Sequence, residues 1–410
     1  MKKGTPIFFA LFFYFELQCQ AQDTTAIIEK YFSQRLTYQF SENILSGLVR
    51  DTVEADRSGN FQEAAKNLSF IGDYKNTLMV WDSVNDPPAF TADDSTYFLR
   101  FKPKNAHDYI IERAKREQII IINEAHHQPN HRVFTESLLH DLYKEGFRYF
   151  GGETIQKDDS LLNKRKYPVI FSGTYSQEPQ YGNMLRAALK EGYYVFAYEA
   201  DLANGTITPA EREIQQAHHI KAILDTNQQA KIIIHCGYDH LVESDLPGWG
   251  KAMAGRLKEY TGIDPFTIDQ VKLTESGSLQ FDNPYYKMIN LDSYSVFVDS
   301  AGNVFNGHNL NQYDVRVYHP RTKWLHGRPH WIFENDRMPF YIKDKITVSF
   351  PCLVFAYCDK ENISYAVPTD VIEFHHLQDQ DHIALSLKKG TYNIVIKDMF
   401  GKEQFFIVKL

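Results

Sequence analysis

Four short apolar runs alternate with longer segments of helical periodicity between residues 118 and 234. The runs lie at 118–123, 148–152, 193–198 and 231–234. The first contains the sequence IIII and the last contains III, and such β-branched runs are typical of strands that are buried on both faces. Because helical segments separate the runs, the pattern predicts an α/β fold with a mainly parallel sheet flanked by helices.

Apolar periodicity also predicts the helices around these runs. They are placed at 132–145, 181–191, Pro209–Thr226 and 249–260. The third helix has a defined start, because Thr208 and Glu211 have the spacing of a capping box around a proline at the first helical position. Further upstream, a hairpin of two helices is predicted to turn at Gly72 and Asp73.

The pattern changes on both sides of this core. Upstream it is helical, whereas downstream of residue 345 short strands follow one another at close spacing, as in an all-β module. The predicted organisation is a helical N-terminal segment at 22–96, an α/β core at 97–275, a connector or lid region at 276–344 and a β-sandwich-like module at 345–410.

The first 21 residues have the pattern of a secretory signal peptide. Two lysines precede an apolar stretch at 6–15, and Cys19-Gln20-Ala21 is a small-x-small cleavage site. The mature chain is therefore predicted to begin near Gln22 and to be exported to the periplasm or the exterior. Lipid attachment at Cys19 is the less favoured alternative, because a charged and a bulky residue precede it. No later stretch has the ~20 apolar residues of a transmembrane span.

Composition narrows the class of partner. The 410 residues are 43% hydrophobic and carry a formal net charge of -8, without a sustained run of lysine or arginine. This balance argues against nucleic acid as a partner and favours a small-molecule or peptide substrate. After cleavage three cysteines remain, and Cys352 and Cys358 would lie ~20 Å apart on one extended strand, too far for a disulfide.

Each of the four apolar runs ends at an acid or a histidine. The residues at these ends are Glu124 with His126, Glu153, Glu199 with Asp201, and His235 with His240. In an open parallel sheet, ligands bind beyond the carboxyl ends of the strands, so an active site is predicted at this edge. Arg212, in the first turn of the third helix, is placed to join it. The predicted catalytic residues are Glu124, His126, Glu153, Arg212 and His240.

These side chains suit hydrolysis by an activated water. His126 is the candidate general base, and Glu124 or Glu153 would orient it or hold its proton. Arg212 would pair with a carboxylate or stabilise an oxyanion, and His240 is a second base, an oxyanion donor or a metal ligand. The chain contains no Gly-x-Ser-x-Gly motif, which disfavours a serine nucleophile.

The order of these motifs resembles the erythromycin esterase, ChaN-like and TIKI superfamily over roughly residues 108–274. The resemblance rests on Asn123-Glu124-Ala125-His126, Gly152-Glu153, Arg212 and Gly237-Tyr238-Asp239-His240. Two Gly-x-x-His signatures are typical of that superfamily; the second is intact here, and the first has Asn123 in place of glycine. The resemblance implies an α/β core of this type. Members include macrolide esterases, metal-dependent proteases and a haem-iron-binding lipoprotein.

The preferred function is that of an exported hydrolase that cleaves an ester or an amide. A divalent metal, zinc or manganese, could assist it, because His126, His240, Glu124 and Glu153 offer nitrogen and carboxylate ligands. The alternative is a protein that binds haem or a metal ion without turnover, with the histidines as ligands. A third interpretation is an inactive scaffold that acts through its β-module.

Other polar residues receive structural interpretations at this stage. His235 is predicted to satisfy a backbone carbonyl, and His127 and His131 to be surface residues at the entrance of a helix. Glu199 is interpreted as a solvated loop residue or a helix cap. The stretches 319–322 and 327–331 together have two arginines, two histidines and Trp331, and they form either a lid that contacts the substrate or a basic connector packed by its tryptophan.

Overall fold

The computed structural model describes residues 38–50, 57–83, 86–89, 92–201, 207–307 and 312–410. The predicted signal peptide lies outside these residues. Within them, no helix combines the length and apolar character needed to cross a membrane.

Helices and strands alternate through the core and give way to strands near the C-terminus. The helices are α1 (Ser41–Arg50), α2 (Arg57–Phe70), α3 (Tyr74–Asp82), α4 (Ala92–Phe98), α5 (Ala106–Ala114), α6 (Asn130–Lys144), α7 (Leu162–Arg165), α8 (Pro179–Glu191), α9 (Pro209–Thr226), α10 (Met253–Thr261), α11 (Pro284–Lys287) and α12 (Asp379–His382). The strands are β1 (Lys102–Asn105), β2 (Ile119–Glu124), β3 (Tyr149–Gly152), β4 (Tyr194–Ala197), β5 (Ile232–Gly237), β6 (Asp245–Leu246), β7 (Gly250–Lys251), β8 (Phe266–Leu273), β9 (Ser295–Val298), β10 (Val315–Tyr318), β11 (Trp324–Leu325), β12 (Arg328–Pro329), β13 (Met338–Phe340), β14 (Cys352–Cys358), β15 (Asp370–Phe374), β16 (Leu385–Leu387), β17 (Thr391–Asp398) and β18 (Glu403–Lys409).

A central eight-stranded sheet positions the candidate site. Its strand order is β1-β9-β10-β8-β2-β5-β3-β4, and the run from β10 to β4 is parallel throughout. The four strands predicted from the apolar runs are β2, β3, β4 and β5, and their parallel pairing is confirmed. Both isoleucine runs are fully buried, because helices cover the two faces of the sheet.

The predicted helices are present with small shifts at their ends. Helix α9 begins at Pro209 with both hydrogen bonds of the Thr208–Glu211 capping box. Helix α10 begins later than predicted, because residues 250–251 pair with β6 in a short hairpin. The turn between α2 and α3 falls at Gly72, whose φ of 76° favours glycine.

The segment 276–344, predicted to be a connector or lid, contributes β9 and β10 to the central sheet. Both strands have only four residues and lie between long irregular stretches, so their periodicity is weak in the sequence. Beyond them, β15, β14, β17 and β18 form a four-stranded antiparallel sheet, and β13 pairs with β16. Cys352 and Cys358 lie at opposite ends of β14 as free thiols, which confirms that they do not pair.

Polar contacts join the C-terminal sheet to the rest of the chain. Glu136 of α6 pairs with Arg337 at 2.5 Å and with Lys388 at 2.9 Å. At the other end of the chain, the backbone N–H of Ser41, the first residue of α1, donates to the Glu373 carboxylate of β15 at 2.9 Å. The C-terminal strands therefore support both a helix of the core and the first described helix.

Candidate active site

Glu124, the last residue of β2, is a buried carboxylate held by three side chains. The Arg132 guanidinium donates to both of its oxygens, with Nε–Oε2 at 2.6 Å and Nη2–Oε1 at 2.7 Å. His126 and His235 contact the same carboxylate at 3.1 and 2.8 Å. Burial favours a higher pKa for Glu124, but Arg132 and the two histidines outweigh it and hold the pKa well below the usual range. Glu124 is therefore ionised.

Arg132 is fully buried in the first turn of α6 and bridges two carboxylates. Its Nη1 lies 2.9 Å from Glu178, which also caps α8 by accepting a hydrogen bond from the Tyr181 N–H. Burial raises the pKa of Glu178 even though Arg132 opposes this shift. One guanidinium thus fixes the start of α6, the start of α8 and the end of β2 relative to one another.

His126 retains one nitrogen for chemistry. Its Nδ1 lies 3.1 Å from Glu124, whose ionised carboxylate can only accept, so the ring proton is on Nδ1. Tyr175 stacks on the imidazole with 3.8 Å between ring centroids, and Tyr238 contacts it edge-on. The side chain is 18% exposed, and Nε2 makes no hydrogen bond with a described residue. An oriented imidazole with a free Nε2 is the arrangement of a general base.

Glu153 follows β3 and reaches the same place from the neighbouring strand. Its carboxylate accepts hydrogen bonds from Arg212 at 2.7 Å and from the Gly237 N–H. Burial would raise the pKa of Glu153, but His240, His126 and Arg212 hold it well below the usual range. A Cβ at position 237 would overlap the His126 ring and lie 2.8 Å from Glu153 Oε2, so glycine allows these two side chains to meet.

Arg212 lies in the first turn of α9 between two carboxylates. Its Nε and Nη2 donate to Glu199 at 2.9 and 2.6 Å, and Nη2 also donates to Glu153. A guanidinium has five N–H groups, and the Nη1 pair makes no bond to a carboxylate of the described residues; Nη1 lies 2.9 Å from His240 Nε2. The side chain is partly exposed, so this pair can reach a bound substrate.

His240 sits between Glu153 and Glu213. Its Nδ1 lies 2.8 Å from Glu213, and its Nε2 lies 3.4 Å from Glu153. Burial lowers the pKa of His240, but the two carboxylates outweigh it and raise the pKa to about 10. Arg212 Nη1 is 2.9 Å from Nε2, a contact that would suit a neutral ring. We assign the protonated imidazolium form to His240. The reason is that, among the described residues, this cluster has three carboxylates, those of Glu153, Glu199 and Glu213, and the single guanidinium of Arg212.

The pKa of His240 predicts how stability changes with pH. A histidine whose pKa is about 10 when folded and ~6.5 when unfolded stabilises the fold fully below pH ~6.5, and this contribution is lost as pH rises through 10. Between pH 6 and 9.5, the unfolding free energy of the wild type in urea should fall by on the order of 4 kcal/mol more than that of His240→Gln.

His218→Gln is the matched control for this comparison, because His218 is exposed and stacks on Tyr260. Its unfolding free energy should follow the wild-type pH dependence. Parallel pH curves for the wild type and His240→Gln would show that His240 is not an imidazolium in the folded protein.

The structure brings all five predicted catalytic residues together at the carboxyl edge of the sheet. Asn123, which replaces the glycine of the first signature, fits there because its amide donates to the Tyr238 carbonyl and to Asp269. Its Oδ1 accepts from the Gln270 N–H, so this residue fixes the end of β2 against β8.

Several residues of the candidate site have roles that differ from those predicted from the sequence. His235 does not satisfy a carbonyl; it bonds to Glu124. His127 and His131 are buried and not on the surface, and His131 Nδ1 accepts from the Ala125 N–H at 3.0 Å. Glu199, interpreted as a solvated residue or a cap, is a partner of Arg212. Arg132, Glu178 and Glu213 were not predicted at all.

The predicted metal ligands Glu124, Glu153, His126 and His240 do not fit a metal ion in this arrangement. Arg132 occupies both oxygens of Glu124, and Arg212 occupies one oxygen of Glu153. Both ring nitrogens of His240 already contact carboxylates, Nδ1 that of Glu213 at 2.8 Å and Nε2 that of Glu153 at 3.4 Å. Among the described residues, no group of three or more histidine, cysteine or acidic side chains is placed to hold a metal ion.

No family model and no curated protein matches the chain. Among solved structures it is similar to the type III effector HopBA1, with 14% identity over 42% of this chain and 86% of that chain and a TM-score of 0.30. It is also similar to RRSP, a MARTX toxin effector domain from Vibrio vulnificus, with 15% identity over 56% of this chain and 44% of that chain and a TM-score of 0.28. A third structure, described as bacterial protein toxins, has 12% identity over 52% of this chain and 47% of that chain and a TM-score of 0.30. Similarity at this level leaves the function to be argued from the site.

Proposed function

We propose that this protein hydrolyses an ester or an amide with a water molecule activated by His126. The observation that carries the proposal is that an oriented His126 lies on one side of Gly237 and Glu153, and two cations lie on the other side. His126 has a free Nε2, and Arg212 and His240 lie beside Glu153, whose carboxylate approaches the His126 ring. Acyl hydrolysis requires a base that activates water and positive charge that stabilises the carbonyl oxygen, on either side of the reacting carbon.

In the proposed reaction, His126 Nε2 removes a proton from a water molecule while the oxygen of that water bonds to the carbonyl carbon of the substrate. The negative charge that develops on the carbonyl oxygen faces the remaining N–H groups of Arg212 and the imidazolium of His240. The His126 imidazolium then gives its proton to the leaving oxygen or nitrogen as the carbonyl bond to that atom breaks. The products are a carboxylic acid and an alcohol or an amine.

The supporting residues keep the charges of this reaction in place. Glu124 remains ionised because Arg132 binds both of its oxygens, so it can stabilise the His126 imidazolium without removing its proton. Glu213 orients His240 through Nδ1 and also accepts the Met253 N–H at 2.8 Å. We propose that these two carboxylates are positioning groups and that neither bonds to the substrate.

The test is hydrolysis in ¹⁸O-labelled water. The wild type is offered nitrophenyl esters of increasing acyl size and fluorogenic peptides, and the acid product and the protein are both analysed by mass spectrometry under single-turnover conditions. We expect ¹⁸O in the acid product and none in the protein, because water attacks the carbonyl directly.

Label in the Glu124 or Glu153 carboxyl group would indicate a covalent acyl-enzyme and overturn the direct attack by water. Hydrolysis that persists unchanged in His126→Ala would overturn the role of His126 as the base. If no ester or peptide of the panel is cleaved by the wild type, the proposed acyl hydrolysis is wrong for these substrate classes.

A further inference from the structure

A cavity of about 480 Å³ lies next to the loop that carries His126, and the catalytic cluster does not use it. Helix α3 contributes Tyr74 and Lys75 to its wall, and the loop after β2 together with the first residue of α6 contributes residues 127–130. Residues 275–277 and the segment around the β11–β12 hairpin complete it. This volume is in the range of small-molecule sites in proteins.

Two indole rings differ in how firmly they are held. Trp331 is buried, donates from Nε1 to the Thr322 hydroxyl at 3.2 Å and packs edge-on against Tyr74 with 4.9 Å between centroids. Trp324 lies in β11 opposite Pro329 and is 52% exposed. A fixed ring and an exposed ring on one cavity provide a stacking surface for a flat ligand.

The wall of this cavity carries polar side-chain atoms that have no partner among the described residues. The Asn130 side chain is 7% exposed, lines the cavity and makes no hydrogen bond with any described residue. His127 Nε2, on the same wall, is buried and has no hydrogen-bond partner among the described residues. A buried polar atom without a hydrogen bond is costly, which points to a group supplied by a ligand or by solvent. Two other polar side chains of the wall are already occupied: Gln128 bonds to Thr274 and to the Glu275 carbonyl, and the Glu275 carboxylate accepts from Thr322.

The charges at the cavity favour a single negative group. Arg321 is neutralised by Asp282 at 2.5 Å, whereas exposed Lys75 has no ion pair with a described residue. Few polar groups therefore remain for a ligand with many hydroxyls, such as a sugar. A ligand with one apolar ring system and one acidic group matches what is left.

We propose that this cavity binds a planar ring compound that carries one carboxylate. The ring stacks on Trp324 and faces Trp331, a polar substituent meets the Asn130 amide, and the carboxylate lies near the Lys75 ammonium. The site stands independently of the proposed hydrolysis, because none of these side chains belongs to the catalytic cluster.

Calorimetric titration with 2-naphthoate tests the site, with 2-naphthalenemethanol as the uncharged counterpart. The wild type should bind one 2-naphthoate and bind the alcohol more weakly. Trp324→Ala should weaken 2-naphthoate binding about fivefold, as expected for a lost aromatic pair. Lys75→Gln should weaken it about threefold, as expected for an exposed charge, and should leave the alcohol unaffected.

The controls separate this cavity from the rest of the protein. Phe400→Ala removes an exposed aromatic ring from the turn between β17 and β18, and Lys402→Gln removes an exposed ammonium there; both should bind like the wild type. His126→Ala should also bind normally, because the catalytic cluster lies outside the site. The proposal would be overturned if 2-naphthoate did not bind to the wild type, or if Trp324→Ala and Lys75→Gln left its binding unchanged. If the wild type bound the alcohol as tightly as 2-naphthoate, the proposed preference for an acidic ligand would be wrong.

Discussion

Replacement of His126 by alanine should lower the turnover of any ester or amide that the wild type hydrolyses by roughly 10²–10⁴-fold, the usual contribution of a positioned general base. The loss should fall on kcat and leave KM nearly unchanged, because the imidazole acts on the attacking water. The fold should survive, since Arg132 and His235 still hold the Glu124 carboxylate. Steady-state kinetics together with urea unfolding measure both effects.

His140→Ala is the matched control. This histidine is exposed on α6, and its side chain pairs with Glu191 at 3.1 Å. The variant should keep wild-type kinetics. A His126→Ala variant that loses less than about tenfold in kcat, or loses activity only because it is unfolded, would contradict the assignment of His126 as the base.

Arg132→Met should destabilise the protein by about 3–5 kcal/mol. Methionine fills a similar length but leaves the carboxylates of Glu124 and Glu178 buried without their common cation. Uncompensated buried charge is far more costly than the loss of an exposed ion pair. Urea unfolding at neutral pH gives the change in unfolding free energy directly.

Two further variants give this prediction a clear control. Arg116→Met removes an exposed guanidinium 3.8 Å from Glu117 and should change the unfolding free energy by less than about 0.5 kcal/mol. The triple variant Arg132→Met, Glu124→Gln, Glu178→Gln removes the buried charges as well and should recover part of the loss. If the single and triple variants are equally destabilised, the cost arises from packing and not from charge.

The centre of the fold was predictable because its signal is local. The isoleucine runs at β2 and β5 and the capping box of α9 are contained within a few residues each, so pattern and structure agree there. The strands β9 and β10 were not predicted as part of the same sheet. Each has four residues, and each is defined by distant neighbours along β8 and β1 and not by its own sequence.

The candidate site shows the same division between local and distant information. Glu124, Glu153 and His240 follow strands, and the common edge of a parallel sheet brings such positions together. Arg132 and Glu213 lie inside helices, where a charged residue is ordinarily solvated, and only the tertiary fold turns them inward.

His235 is an exception that the strand period could have identified. Ile120 and Ile122 share one face of β2, and Ile233 lies on the same side of β5. Side chains alternate along a strand, so Glu124 and His235 continue this face and meet next to each other. The apolar residues around His235 masked this relation, because a histidine in such a run is usually a core residue.

The contact between Ser41 and Glu373 has a consequence for the order in which this chain can acquire its structure. Helix α1 is synthesised near the start, yet the carboxylate that satisfies its first N–H lies 332 positions later. At a typical rate of about ten residues per second, roughly half a minute separates the emergence of the two partners from the ribosome. Throughout that interval the helix must do without its cap, and premature termination anywhere upstream of β15 leaves it permanently without one.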